Sequence, residues 1–403
     1  MIYTKIIIII FFIDKTNALG FELYAILGQI NGSGYPMAYL FLDNTKKDNG
    51  VRTAILVEFF KALHDNGLHS PDFFLTDKDL SQINAAYQVW PSIKIQLCLW
   101  HLKRAVAKRL ADSSVSKINT YNAELAKESV NFIDLDFHPF PKDHNTGVRS
   151  SNNCDMRFCP KELRETIVEK MAYHFHLHPL IPNDANQYLM DNEIWLLSVH
   201  EMYEFCVQHD LKNVWAYLWM NWYQKTHWIL WARAAHSQKI CLFKTTMLVE
   251  AHWKVIKRDF LPKFFRPRLD LVVFIITNRL LPHHQRRYHQ IVTGRETVSW
   301  RKDFKKEWKV LSKRDMQTAQ THVTDVTRWI CSCRAFLLSR WPICYHLVLR
   351  TPNLNLDFFT TVIRQEVCPF LKHPLLQNDD NDNNYGGKYT FIYYCYSTFF
   401  LSR

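Results

Sequence analysis

The chain has 403 residues, enough to bury a full core in two or three folding units. Its formal net charge of +12, from 50 Lys and Arg against 38 Asp and Glu, favours a polyanionic partner. Nucleic acid is the natural candidate, with an acidic membrane or plain solubility as blander readings. Ten cysteines scattered over a chain this long argue against a disulfide-stapled scaffold and for a reducing compartment.

The chain opens on "IIIIIFFI", a β-branched run suited to a strand buried on both faces. It is shorter than the about 20 residues a membrane span needs, and no small-residue cleavage pattern follows to make it a secretory signal. Two more strands are predicted in "GFELYAILGQI" and "YPMAYLFL", joined by "NGSG", which has tight-hairpin chemistry. A helix follows over "VRTAILVEFFKALHDNGL", where Ile55, Phe59, Phe60 and Leu63 recur at helical spacing and Gly67 stops the pattern. Then come a short strand "DFFLT" ending at Asp77, a helix "DLSQINAAYQVW" stopped by Pro91, a strand "IKIQLCLW" and a basic-faced helix "HLKRAVAKRL". Three antiparallel strands followed by alternating helix and strand predict an α/β fold with a mixed sheet.

From 111 to 235 the pattern changes to long helical runs, interrupted by the long loop "FHPFPKDHNTGVRSSNNCDMRFCP". Trp215, Trp219 and Trp222 sit at helical spacing, which fits a helical core better than a base-stacking platform. A helix bearing Glu250 and a proline-broken basic stretch, "KRDFLPKFFRPR", fill 236–300. A charged helical linker, 301–328, leads to a compact Cys and His cluster at 329–350, and an irregular tail occupies 351–403 with an Asn and Asp run read as a disordered linker.

The sharpest motif is "WICSCRAFLLSRWPICYHL", in which Cys331, Cys333, Cys344 and His346 are spaced C-x-C-x10-C-x-H. On an extended strand, residues i and i+2 point the same way, so two such pairs on a hairpin converge as three thiolates and one imidazole. That set makes a closed tetrahedral Zn²⁺ site, structural because no position is left for water. The alternative is a pair of core cysteines beside an unrelated histidine. The spacing, with Trp329 before it and Phe336 within it, resembles the SWIM zinc finger, a module associated with DNA and protein binding.

The second motif is "FFLTDKDLSQINAAYQVWPSIKIQLCLWHLKRAV". Asp77 closes a strand, where a carboxylate can face a ligand, whereas Asp79 precedes a helix with Gln82 three residues on and reads as an N-cap. Together with the Cys98 and His101 pair and the hairpin over "ALGFELYAILGQINGSGYPMAYLFL", this segment resembles the transposase domain of Mutator-like elements, the MULE family. Cys98 and His101 alone are too few for a metal site, and packing or positioning beside Asp77 is the simpler reading.

The resemblance implies an RNase H-like mixed sheet flanked by helices, with a helical insertion and a small C-terminal zinc hairpin. It also implies a D-D-E triad holding Mg²⁺ or Mn²⁺ for DNA strand cleavage and transfer. Asp77 matches the second carboxylate and Glu250, on "KTTMLVEAHWKVIKRDFL", the last; without the resemblance Glu250 is an ordinary helical residue paired with Lys254. The first carboxylate is Asp14, but the spacing differs, because alignment on Thr16 and Asn17 puts the family position at Phe11. Either the strand slips to bring Asp14 to the metals, or the first carboxylate is missing.

These readings predict the first part of a transposase domain at 1–110, an insertion at 111–235, the end of the domain at 236–300 and a SWIM module at 329–350. The expected protein is a nuclear Mutator-like transposase, truncated or inactive in one variant of that reading, with DNA as partner, further protein partners through the SWIM module and no membrane. Two other classes stand beside it: a transposase-derived, DNA-binding transcription regulator without catalysis, and an interaction protein whose zinc module docks another protein.

Overall fold

The computed structural model describes residues 7–13, 17–30, 32–43, 49–112, 121–139, 158–261, 264, 266–314, 322–351, 354–376 and 399–402. Asp14, most of the loop before Pro160 and the Asn and Asp run of the tail lie outside them. The chain forms two compact units, one made of 1–98 with 241–403 and the other of 99–240.

The first unit begins with three antiparallel strands, β1 (Ile7–Ile13), β2 (Glu22–Ile30) and β3 (Ser33–Leu42). Gly32 makes the tight β2–β3 turn at φ +81°, a conformation that glycine adopts without steric cost. Helix α1 (Asn49–Asp65), strand β4 (Phe73–Thr76), helix α2 (Leu80–Val89) and strand β5 (Lys94–Leu97) follow. The order across the sheet is β3-β2-β1-β4-β5, and β1, β4 and β5 run parallel.

The opening isoleucines show why this sheet forms. Ile7 to Ile10 are all fully buried, with Ile7 and Ile9 on one face beside Leu23, Leu27, Tyr39 and Leu75. A period of two sends their neighbours to the opposite face, and each buried isoleucine contributes about 2 kcal/mol. Phe60, on α1, stacks on Trp90 at 5.6 Å between ring centroids and meets Phe74 of β4 edge-on at the same separation.

The second unit is helical: α3 (Leu99–Ala111), α4 (Ala123–Ser129), α5 (Lys161–His176), α6 (Asp191–Gln208), α7 (Lys212–Leu218) and α8 (Lys225–Trp231). Its tryptophans are core, as their spacing predicts. Trp195, Trp215, Trp219, Trp222, Trp228 and Trp231 are all buried. Four of their indole N–H groups have partners: Trp215 donates to Tyr121 Oη at 3.0 Å, Trp195 to the Tyr223 carbonyl, Trp231 to the Trp222 carbonyl and Trp222 to Tyr217 Oη.

Two histidines of this unit are held neutral by burial. His174 lies 3.0 Å from Glu201 through Nε2 and 2.8 Å from Tyr223 Oη through Nδ1. His178 receives the Leu180 N–H on Nδ1 and donates from Nε2 to the His236 and Lys239 carbonyls. Desolvation pushes the His178 imidazole down to about 3.

The chain returns to the first unit through α9 (Met247–Val255), α10 (Leu269–Ile275) and α11 (Leu281–Val292). Val249, Trp253, Val272, Ile275 and Leu280 pack against the sheet face that carries Ile7 and Ile9. Gly34 admits this approach: a Cβ there would lie 3.0 Å from Leu27 and 3.2 Å from Leu248. Helix α12 (Ser299–Leu311) buries Trp300, Phe304 and Trp308 along one stripe. The hairpin β6 (Thr324–Asp325) and β7 (Ile330–Cys331) follows, then α13 (Arg334–Leu338), α14 (Tyr345–Arg350), α15 (Leu356–Thr361) and the hairpin β8 (Ile363–Arg364) and β9 (Leu371–Lys372). Strand β10 (Phe399–Ser402) runs parallel beside β3 as a sixth strand.

Candidate metal centres

Cys331, Cys333, Cys344 and His346 come together with their ligand atoms within 4.8 Å of one another, and all four side chains are buried. The geometry differs from two strand pairs on one hairpin. Cys331 lies on β7, Cys333 caps the start of α13, Cys344 precedes α14, and His346 sits inside α14. The returning strand is therefore a helix start. Cys344 is an extended N-cap and His346 the second residue of α14, so the entry into the helix, and not a strand's alternation, sets the direction of the imidazole.

The spacing of the donors fits a tetrahedral ion. Cys331 Sγ lies 3.6 Å from His346 Nδ1. The edge expected across a zinc ion, with Zn–S about 2.3 Å and Zn–N about 2.05 Å, is also about 3.6 Å. The sulfurs compete for negative charge. Contacts with Cys333 and then Cys344 hold the Cys331 thiol far below its ordinary range, while the same contacts push Cys333 and Cys344 up. A divalent cation among the three sulfurs would favour the ionised form of each. The group could bind zinc, and its donor chemistry is that of a closed structural site.

Aromatic packing holds the cluster. Trp308 of α12 stacks on Trp329 at 5.8 Å and 16°, and Trp329 Nε1 donates to the Pro342 carbonyl at 2.8 Å. Trp329 has φ +53°, a left-handed turn that leads the chain into Cys331. The aromatic stripe of α12 thus packs into the module beside the cluster.

The carboxylate site is assembled differently. Asp77 follows the last residue of β4, and Glu250 is exposed on α9. A relay of short contacts joins their surroundings. Cys98 N–H donates to the Thr76 carbonyl at 2.9 Å, and the Thr246 N–H donates to Cys98 Sγ at 3.4 Å. Thr246 Oγ1 in turn lies 3.1 Å from Glu250 Oε1. The Asp77 carboxylate and Cys98 Sγ are within 4.8 Å of each other, so Cys98 has an acidic neighbour that the Cys98 and His101 pair alone did not reveal. His101 lies on the first turn of α3, in the other unit.

Asp79 is the helix cap its sequence context predicts, accepting from Ser81 N at 2.9 Å and Gln82 N at 3.3 Å. It has a second role not legible in sequence. Arg52 of α1 bridges Asp79 at 3.1 Å and Glu22 of β2 at 3.6 Å, and Tyr24 donates to Glu22 at 2.8 Å. Glu22 and Asp79 are thereby committed to a guanidinium and are not open metal ligands. Asp14 lies outside the described residues, but the backbone around it is informative. β1 pairs with β4 as Ile7 with Phe73, Ile8 with Phe74 and Ile9 with Leu75. Continuing that register by two residues sets Phe11 level with Asp77.

The basic segments divide. Lys103, Arg104 and Lys108 are exposed on α3, while Arg109 lies over the Phe158 ring at 3.7 Å. Arg258 and Arg268 are exposed but paired with Asp259 and Asp270. No helix among the described residues is long and apolar enough to cross a membrane.

Residues 13–105 match the family model of the MULE transposase domain. The chain is also 22% identical over 371 residues to the mating-type protein ALPHA3 of Kluyveromyces lactis, an alignment that takes in 83% of this chain. It spans 40% of that relative's length. A MULE transposase domain model thus matches the segment that carries β2 to β5 and Asp77, and the chain is transposase-like in that part.

Proposed function

We propose that this chain is a Mutator-like, transposase-type protein acting on DNA in the nucleus by metal-dependent strand cleavage and strand transfer. Asp77 and Glu250 are two of its carboxylates, and Asp14 is the third. One observation carries this reading: Thr76, Cys98, Thr246 and Glu250, drawn from two distant stretches of sequence, form one chain of contacts beside Asp77. The strand order β3-β2-β1-β4-β5, antiparallel then parallel, supports an RNase H-like arrangement.

Hard carboxylate oxygens at separate elements suit Mg²⁺ or Mn²⁺, which would activate water and stabilise the leaving oxygen of a phosphodiester. The two carboxylates hold charge and position and do not attack phosphorus themselves. Thr246 orients Glu250, and the exposed Lys103, Arg104 and Lys108 offer phosphate contacts whose strength falls steeply with salt. The Cys and His cluster is the zinc core of a SWIM-type module that binds DNA or a protein partner.

The test is a nicking assay on duplex DNA with Mg²⁺ or Mn²⁺. Native protein should nick, and Asp77→Asn should lose at least about a thousandfold in rate, equivalent to about 4 kcal/mol of barrier. Activity that is metal-independent, or unchanged in Asp77→Asn, removes the catalytic assignment.

A second reading, a DNA-binding regulator without catalysis, is favoured by a specific feature: the β1 residue level with Asp77 is Phe11, which cannot ligate a metal. A regulator would show salt-sensitive DNA binding that survives Asp77→Asn, with no cleavage by either protein.

A further inference from the structure

Away from the carboxylates, α9 and α11 bring a second set of donors onto β3. Tyr35 and Tyr39 both lie on β3, with a register irregularity between them. Tyr39 Oη is 2.8 Å from Nε2 of His252, which is 4% exposed on α9. The ring of Tyr35 meets that of His284, on α11, edge-on at 6.2 Å. The two imidazoles face each other with centroids 5.5 Å apart and planes inclined by 41°.

Four polar atoms of this group are buried and have no hydrogen-bond partner among the described residues: His252 Nδ1, both ring nitrogens of His284, and Tyr35 Oη. Each such atom costs about 1–3 kcal/mol when left unsatisfied. Four together, from three side chains on three elements, point to a shared occupant. The exposed charges nearest the group are those of Arg287, His283 and Glu296, and none accepts from or donates to these four atoms.

The ring separation identifies the occupant's chemistry. An imidazole nitrogen binds a zinc-like ion at about 2.0–2.1 Å, which sets the ring centroid about 3.2 Å from the metal. Two rings at a tetrahedral angle then have centroids about 5.2 Å apart, close to the 5.5 Å observed. Tyr39 can also supply what a metal-binding histidine needs on its other nitrogen: with Nε2–H donating to Tyr39 Oη, Nδ1 is left bare for an ion.

We propose that His252, His284 and Tyr35 form a binding site for a borderline divalent transition metal ion of the Zn²⁺ class. His252 Nδ1 and one ring nitrogen of His284 are the primary ligands, and Tyr35 Oη is the third donor. The site is separate from both centres described above. His252 is two residues beyond Glu250 on α9 and so points to the opposite side of the helix. Neutral imidazoles favour Zn²⁺, Cu²⁺ or Ni²⁺ over Mg²⁺, so the two neighbouring sites select different ions.

The experiment is a Co²⁺ titration of the full chain carrying Asp77→Asn, with the thiolate cluster first filled with one equivalent of Zn²⁺. One further equivalent should bind with the visible d–d absorption of imidazole-ligated cobalt and without a sulfur-to-cobalt charge-transfer band. His284→Gln should weaken that equivalent at least tenfold, and His252→Gln should do the same. Retention of the first Zn²⁺ and of the circular dichroism spectrum certifies each variant as folded. The proposal fails if no further equivalent binds, if it survives His284→Gln, or if its spectrum carries the thiolate band.

Discussion

The thiolate cluster and the carboxylate pair are built on opposite plans. The four cluster ligands come from one short stretch, are buried, and lie with their ligand atoms within 4.8 Å of one another. Asp77 and Glu250 come from distant stretches, Glu250 is exposed, and Cys98 and Thr246 lie in the chain of contacts between their surroundings. A closed site can be specified locally because its only task is to hold an ion. An open site of the kind proposed for Asp77 and Glu250 would have to leave room for a substrate, so neighbouring residues would supply the rigidity that a full ligand set otherwise provides.

This contrast can be broken or sharpened by substitution. The largest effect is expected at the closed cluster. Cys344→Ser, or strong chelation of the native protein, should release bound zinc and dissolve the Trp308 and Trp329 stack. Structural zinc in small modules contributes on the order of 10 kcal/mol, so near-ultraviolet circular dichroism should change together with metal content. A cluster that keeps its tryptophan signal after zinc removal would be an ordinary apolar core.

Next comes the support beneath the carboxylate end of the sheet. Arg52→Met leaves Glu22 and Asp79 beside each other without their cation, and should cost about 3 kcal/mol in urea unfolding. A loss below about 1 kcal/mol would mean that the pairing is solvent-screened like a surface bridge.

Acid should act on the helical unit through His178. His178 has its folded value lowered to about 3, so below its ordinary value of 6.5 the unfolded chain takes up a proton that the folded one refuses. Stability is therefore complete above about pH 6.5 and falls as pH drops from there toward 3, by about 2 kcal/mol at pH 5 for this one group. His178→Gln should flatten that part of a stability profile. An unchanged slope would assign the acid sensitivity elsewhere.

The smallest effect should be at the open site. Thr246→Val keeps the volume and removes the hydroxyl that reaches Glu250, so cleavage should slow about tenfold, or about 1.4 kcal/mol, with little change in thermal stability. A variant as active as the native protein would mean that Glu250 needs no positioning.

The parts legible in sequence are those with local causes. The isoleucine run, the hairpin glycine and the helical repeat before Gly67 each state their own geometry, and β1 to β5 appear in the predicted order. The cluster ligands were legible from spacing, but the backbone beneath Cys344 and His346 was not, because a C-x-H pair fits a strand or a helix start equally well. The Arg52 network was hidden for another reason. Its members sit on β2, α1 and the cap of α2, and nothing in sequence says that a helix arginine will reach two carboxylates across a sheet. The imidazole pair of His252 and His284 was likewise invisible, since it exists only once α9 and α11 come together.

The contact between Cys98 and Thr246 has a further consequence. It fastens the point where the chain leaves the first unit to the point just after it returns. Everything between, 99–240, is then an excursion with both feet planted together. The entropy of closing such a detour rises only slowly with its length, so this stretch can be lengthened, shortened or exchanged with little penalty to the sheet. The molecule carries a graft point beside its carboxylates, a place where a lineage can change what the protein touches while leaving untouched the residues that hold its first unit together.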